Sequence, residues 1–215
     1  MQKIIGIPGY NLGENTFGVG KPYLEYFSKF GNVLILTPMT FINVDLLVLP
    51  GGKDVHDGAQ GGFSFYLQPH DPFLEYFDKY TLPQFWDRNI PMFGICRGMQ
   101  TLMRHTGVPI VPDIDWVHGY SKNEDDDKAN TLVYTREFRM LKTKFGVDKV
   151  GSWHHQCVMK NDLIGDWNLI AHTGDGVVEY AKHDSKPIFV TQSHPERNLN
   201  KLDKYIIKQL LSYGR

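Results

Sequence analysis

The run Gly94-Ile95-Cys96-Arg97-Gly98 constrains this chain more than any other stretch. It follows directly on an apolar segment, residues 90–95, that reads as a buried strand, and it opens a stretch to about residue 104 that reads as a helix. A residue perched on so sharp a strand-to-helix turn needs glycine two positions before it and two after. A side chain at either place would collide with the neighbouring strand or helix. Such a turn lies at the C-terminal edge of an open α/β sheet, where these folds place their sites.

The rest of the chain agrees with that architecture. Apolar runs at residues 3–7, 33–36 and 44–49 alternate with helical patterns at 23–30 and from Asp71 to about Trp86. Asp71-Pro72 starts the second of these helices well, with an N-cap carboxylate followed by proline at the first helical position. Beyond residue 113 the pattern changes to short β-like segments at 131–134, 167–172, 177–182 and 187–191, and closes on a helix over 202–211. Neither a repeat nor a linker interrupts residues 1–215, so the expectation is a single α/β domain whose mostly parallel sheet is flanked by helices.

Composition narrows the function. With 23 basic and 24 acidic side chains and no basic stripe, nucleic acid is not expected as a partner. No apolar run reaches membrane-spanning length and the first residues lack a secretory cleavage signal, which makes a cytoplasmic location the default. Two cysteines, Cys96 and Cys157, do not make a disulfide framework and are expected as thiols. Residues 53–69, rich in glycine and aromatics, read as a functional loop. The charge run Glu124-Asp125-Asp126-Asp127 reads as a solvated loop without calcium-ligand spacing. Gly18-Val19-Gly20-Lys21-Pro22 lacks the upstream glycine and the hydroxyl residue of a phosphate loop. No metal and no cofactor is expected.

The chemistry concentrates in three places. The turn sets the Cys96 thiol near a helix N-terminus, which favours thiolate, and aims it toward solvent. Thr191-Gln192-Ser193-His194-Pro195-Glu196 offers a base in His194 and a carboxylate in Glu196 to orient it, both expected at a solvent-facing strand end. Leu49-Pro50-Gly51-Gly52 offers bare amides for a developing oxyanion. The pair His154-His155 invites a metal reading, but neighbours on a strand point to opposite faces and no further ligands surround them. Cys157 sits in an apolar stretch and is expected to be inert.

In combination and in this chain order, these motifs resemble the class I glutamine amidotransferase-like superfamily, whose sheet is flavodoxin-like. Arg97 after the nucleophile, and Ser152-Trp153-His154-His155-Gln156, resemble its γ-glutamyl-γ-aminobutyrate hydrolase (PuuD-like) branch. The resemblance implies Cys96 as nucleophile, His194 as base and acid, and Glu196 as orienter. It implies an oxyanion hole from the amides of Gly52 and Arg97, and a glutamyl-binding set of Gly51, Gln100, Ser152, Trp153 and His154. It further implies hydrolysis of a small-molecule γ-glutamyl amide through a thioester; the other reading is a glutaminase subunit that hands ammonia to a separate synthetase. The chain departs from the branch at Val55-His56-Asp57-Gly58, at Asp71-Pro72 and at Ser193, positions expected to border the leaving group, with residues 55–66 as its pocket.

Overall fold

Apolar runs of four or five residues make the centre of this molecule. The computed structural model describes residues 2–13, 16–55, 70–113, 129–151, 153–197 and 200–213. The chain opens with β1 (Ile4–Pro8), the hairpin β2 (Tyr10–Asn11) and β3 (Phe17–Gly18), and helix α1 (Lys21–Phe27). Then come β4 (Asn32–Leu36) and β5 (Leu46–Leu49). A helical stretch runs from α2 (Pro72–Tyr76) through a π-helical turn (Phe77–Thr81) into α3 (Leu82–Asp87), and β6 (Met92–Ile95) leads into α4 (Arg97–His105). The second half supplies β7 (Ala129–Thr131), β8 (Val133–Tyr134), α5 (Arg139–Phe145), β9 (Lys149–Gly151) and a 3₁₀ turn (Lys160–Asp162). It ends with β10 (Trp167–His172), β11 (Val178–His183), β12 (Ile188–Thr191) and α6 (Lys201–Ser212).

Eight of these strands form one sheet in the order β4-β1-β5-β6-β12-β11-β10-β8. Every pairing from β4 to β12 is parallel, and the pairings from β12 to β8 are antiparallel. The expected parallel sheet is therefore present, extended by an antiparallel meander built from the short segments of the second half. Its central strands are buried on both faces, which is why they read as unbroken apolar runs. On β5, Leu46 and Val48 pack with Tyr26 and Phe27 of α1 and Ile206 of α6, whereas Leu47 and Leu49 pack with Phe77, Phe85, Met99 and Leu102. Among the described residues no helix is long and apolar enough to cross a membrane.

The helix expected from Asp71 begins where its cap requires. The Asp71 carboxylate accepts from the amides of Phe73 (3.0 Å) and Leu74 (3.2 Å), and also from Asn11 (2.8 Å), tying the β2 hairpin to α2. It does not remain a regular α-helix to Trp86. The Leu82 amide reaches back to Phe77 O, five residues away, immediately before Pro83, which has no N–H to give. The segment 131–134 is not one strand: β7 pairs with β9, β8 pairs with β10, and buried Leu132 turns between them, its amide bonded to Asp148 O (2.9 Å). Helix α5 was not legible because it buries none of its residues fully; its one signal is Gly146, whose left-handed φ of 67° ends it.

Two carboxyl groups are sealed into this framework. Burial pushes Glu179 on β11 up to about 8, against a hydrogen bond from Asn130 and with help from Asp175. Burial likewise pushes Asp203, the residue capped by Asn200 at the start of α6, up to about 7. Both are fully buried, and among the described residues Glu179 Oε2 and Asp203 Oδ1 have no hydrogen-bond partner. A carboxyl whose folded value is raised holds its proton more tightly folded than unfolded. Its contribution is complete below the unfolded values, 4.5 for Glu179 and 3.8 for Asp203, and is lost as pH rises through about 8 and about 7. Stability by urea unfolding should therefore fall between about pH 5 and pH 9, and Glu179→Gln should flatten the fall. Stability rising over that range, with the variant following the same curve, would contradict the assignment.

Candidate active site

The turn at Cys96 is as sharp as the glycines demand. Cys96 has φ 50° and ψ −108°, one of two non-glycine residues at positive φ among those described, a geometry that costs about 1–3 kcal/mol. A Cβ on Gly94 would come within 2.8 Å of Gly98 O, and one on Gly98 within 2.2 Å of Leu49 O. Both contacts are with backbone, which cannot step aside. β12 holds the other flank, where the Cys96 amide donates to Thr191 O (2.8 Å). Cys96 is the N-cap of α4, as expected, but its sulfur does not face open solvent: the residue is 6% exposed.

His194 comes from the turn after β12. Its Nδ1–H donates to Glu196 Oε1 at 2.6 Å, which leaves Nε2 as the nitrogen for the thiol. The two were expected at a solvent-facing strand end, yet their side chains are 9% and 1% exposed. Trp153 meets the imidazole edge-to-face at 5.8 Å, and the Arg197 guanidinium lies over the indole at 5.4 Å. Burial alone would lower the imidazole; hydrogen bonds with Cys96 and Glu196, and their negative charge, outweigh it and raise His194 to about 10. Hydrogen bonds to both Cys96 and Glu196 set the imidazole between sulfur and carboxylate. The arrangement can deliver a sulfur nucleophile with a proton donor beside it.

Gly51 and Gly52 sit across from this pair. A Cβ on Gly51 would lie 2.7 Å from His194 Cε1, so glycine there makes room for the ring. Its amide donates to the Tyr23 hydroxyl (2.8 Å) and is not open to a substrate. A Cβ on Gly52 would touch Arg97 Cδ at 3.2 Å, which places the two residues side by side at the mouth of the turn. The Arg97 guanidinium is buried; it pairs with Asp78 of the π-helical turn at 2.7 Å and reaches Thr101 at 3.2 Å. That pair ties the residue after Cys96 to the irregular helix. A cavity of about 510 Å³ opens beside it, between Val55, Asp78, Thr101, Arg104 and His105.

The remaining residues of the expected glutamyl set divide. Ser152 lies outside the described residues, as do the aromatic loop 56–69 and the charge run 124–127. His154 is half-buried, and its Nδ1–H donates to Gln156 O (2.9 Å); desolvation lowers it to about 4, so the ring is neutral. His155 turns instead to Asp54 (2.7 Å). The two rings diverge, but the segment carrying them is irregular rather than a strand, so strand alternation is not the reason. Gln100 does not open toward a substrate either: its Nε2 donates to Gln156 O (2.9 Å) and Gln192 Oε1 (3.3 Å). Cys157 is fully buried, and burial pushes its thiol up to about 12, in keeping with an inert residue. Sequence reasoning missed Tyr23, Gln156 and Gln192. The last stood inside the His194 motif, and its spacing from Cys96 across two strands becomes visible only in the sheet.

Residues 35–196 match the model of the peptidase C26 family. The chain is 26% identical to the glutamine amidotransferase-like protein YvdE of Lactococcus lactis, over 90% of this chain and 89% of that one. It is 27% identical to a subunit of the glutamine-hydrolysing GMP synthase of Thermoplasma volcanium, over 79% and 71%. In fold it resembles the crystal structure of a glutamine amidotransferase from Thermotoga maritima, with a TM-score of 0.60, 17% identity and coverage of 91% and 77%.

The environment of His194 gives a direct test. By NMR, His194 should stay protonated well above the ordinary 6.5, and Glu196→Gln or Cys96→Ala should each bring its titration down. A wild-type midpoint near 6.5 would contradict the geometry.

Proposed function

The chain belongs to the peptidase C26 family, within the class I glutamine amidotransferase-like superfamily, and from that premise we propose that it hydrolyses the γ-amide bond of a γ-glutamyl compound. The family makes it an amide hydrolase or amidotransferase. The observation that carries the finer reading is the single contact line from Glu196 through His194 to the Cys96 sulfur, set opposite Gly52 and Arg97.

The thiolate of Cys96 adds to the γ-carbonyl carbon, and the oxygen takes up the negative charge. The amides of Gly52 and Arg97 are the donors proposed to receive it, a kind of contribution that is usually the largest in acyl transfer. Collapse expels the amine, which takes the proton held on His194 Nε2, and leaves a γ-glutamyl thioester on Cys96. His194, now neutral, removes a proton from water; the hydroxide adds to the thioester, and glutamate leaves as the thiolate and imidazolium are restored. Glu196 holds Nδ1–H throughout and keeps the proton-carrying nitrogen directed at sulfur. The segment Ser152–His154 and the cavity beside Arg97 are the proposed glutamyl and leaving-group sides.

A second reading has its own support. Two relatives, component II of an anthranilate synthase and the GMP synthase chain of Thermoplasma volcanium, bear names of synthase parts. A chain of that kind would act on glutamine and pass the ammonia to a separate synthetase. Values of kcat/KM for glutamine, a small γ-glutamyl amide, a bulky one and an N-acylated one separate the two. The hydrolase reading expects a marked preference for γ-glutamyl amides with a sizeable amine and little activity on the blocked compound. Cys96→Ala should abolish turnover, while Cys157→Ala stays within a few fold. Preference for glutamine, shown only with a second protein present, would overturn it in favour of the ammonia donor.

A further inference from the structure

Gln192 lies at the end of β12, where its amide is held by Glu179 O (2.9 Å) on the neighbouring strand. Its side chain is completely buried, and its Nε2 stands 3.4 Å from Cys96 Sγ. Which end of a carboxamide faces a neighbour is decided by its hydrogen bonds, and here they leave one choice. The Gln156 carbonyl can only accept, so Gln100 must present nitrogen to it (2.9 Å). The same nitrogen lies 3.3 Å from the other end of the Gln192 carboxamide, which must then be its oxygen. The nitrogen of Gln192 is thereby turned to sulfur. A backbone carbonyl thus sets the direction of a chain of bonds that runs through Gln100 and Gln192 to the candidate nucleophile.

We propose that Gln192 is a catalytic residue that donates a hydrogen bond to the Cys96 thiolate, with Gln100 as the positioning residue that fixes its orientation. This rests on the reading of Cys96 as nucleophile. The titratable and charged groups around the sulfur come from each surrounding element: His194, which bonds to it, and Glu196 behind His194 from the turn after β12; Tyr23 from α1; His154, near His194, from the segment after β9; and Arg97, next in the chain, from α4. Among these, His194 supplies positive charge at the sulfur, and the Arg97 charge is taken by Asp78. The imidazolium surrenders its proton to the leaving amine. Gln192 keeps both of its protons, so its bond to sulfur is available when the thioester releases the thiolate again.

The test is the rate of alkylation of Cys96 by iodoacetamide as a function of pH, which needs no substrate, in the wild type, Gln192→Leu and Gln192→Glu. Buried Cys157 serves as the internal control. Loss of one hydrogen bond to a charged group should slow alkylation near neutral pH about tenfold and move the profile up by about one unit. The glutamate variant, which keeps the shape but turns an acceptor to the sulfur, should move it further. Steady-state kcat should fall more than KM changes. If Gln192→Leu fails to fold, the near-isosteric glutamate variant carries the test alone. Folded variants whose alkylation profile coincides with that of the wild type would overturn the role of Gln192. A wild-type Cys96 no more reactive than an ordinary thiol would overturn the nucleophile reading as well.

Discussion

The approach of Gly98 to the Leu49 carbonyl is the constraint on which the rest of this structure depends. No Cβ fits there, so α4 can lie directly on the end of β5. Because α4 starts that close, the chain must reverse within one residue, and Cys96 takes the left-handed conformation that only surrounding structure can enforce. β12 completes the enforcement by holding the Cys96 amide, and the same strand delivers Gln192 and His194 to the sulfur. One backbone contact between a helix and a strand therefore underlies the meeting of Cys96, Gln192 and His194.

Several polar groups that sheet and helix do not pair bond to one another here, across segments far apart in sequence. The Gln156 carboxamide accepts from the Val55 amide (2.8 Å) and donates to the Val55 carbonyl (3.2 Å), while His155 holds Asp54. The residues just past the Gly51-Gly52 turn are thus fastened to the segment that carries Trp153 and His154. Through Gln156 O, the same segment is fastened to Gln100. A buried network with so many members filled has little freedom to relax, and removing one leaves its neighbours unpaired at a cost of about 1–3 kcal/mol each. The sheet, the turn and the covering segment are consequently one mechanical unit around the sulfur.

Much of this was legible in the sequence because backbone geometry was written in glycine and proline. Gly94, Gly98 and Gly51 have no Cβ for a steric reason that the structure locates to within one atom. Asp71-Pro72 announced a cap that is present. The unbroken apolar run from Leu46 to Leu49 announced a strand buried on both faces, and it is. What stayed hidden depends on groups far apart in sequence. The burial of Glu196 and Cys96, and the contact of Trp153 with His194, depend on tertiary packing that a linear pattern does not encode. The family resemblance set Gln100 among the glutamyl-binding residues, but its side chain points to Gln156, 56 positions away. The antiparallel half of the sheet was seen only as short apolar runs, since strand direction follows from connections that composition does not reveal.

The central claim is that the turn makes Cys96, and not Cys157, the group that attacks a γ-glutamyl carbonyl. The most direct measurement is peptide mass spectrometry after incubation with a glutamine analogue that carries an electrophile in place of the γ-amide. The account predicts one adduct per chain, located on Cys96, suppressed by an excess of a γ-glutamyl amide and lost in His194→Ala. Labelling of Cys157, labelling that the amide does not suppress, or no adduct at all would contradict it.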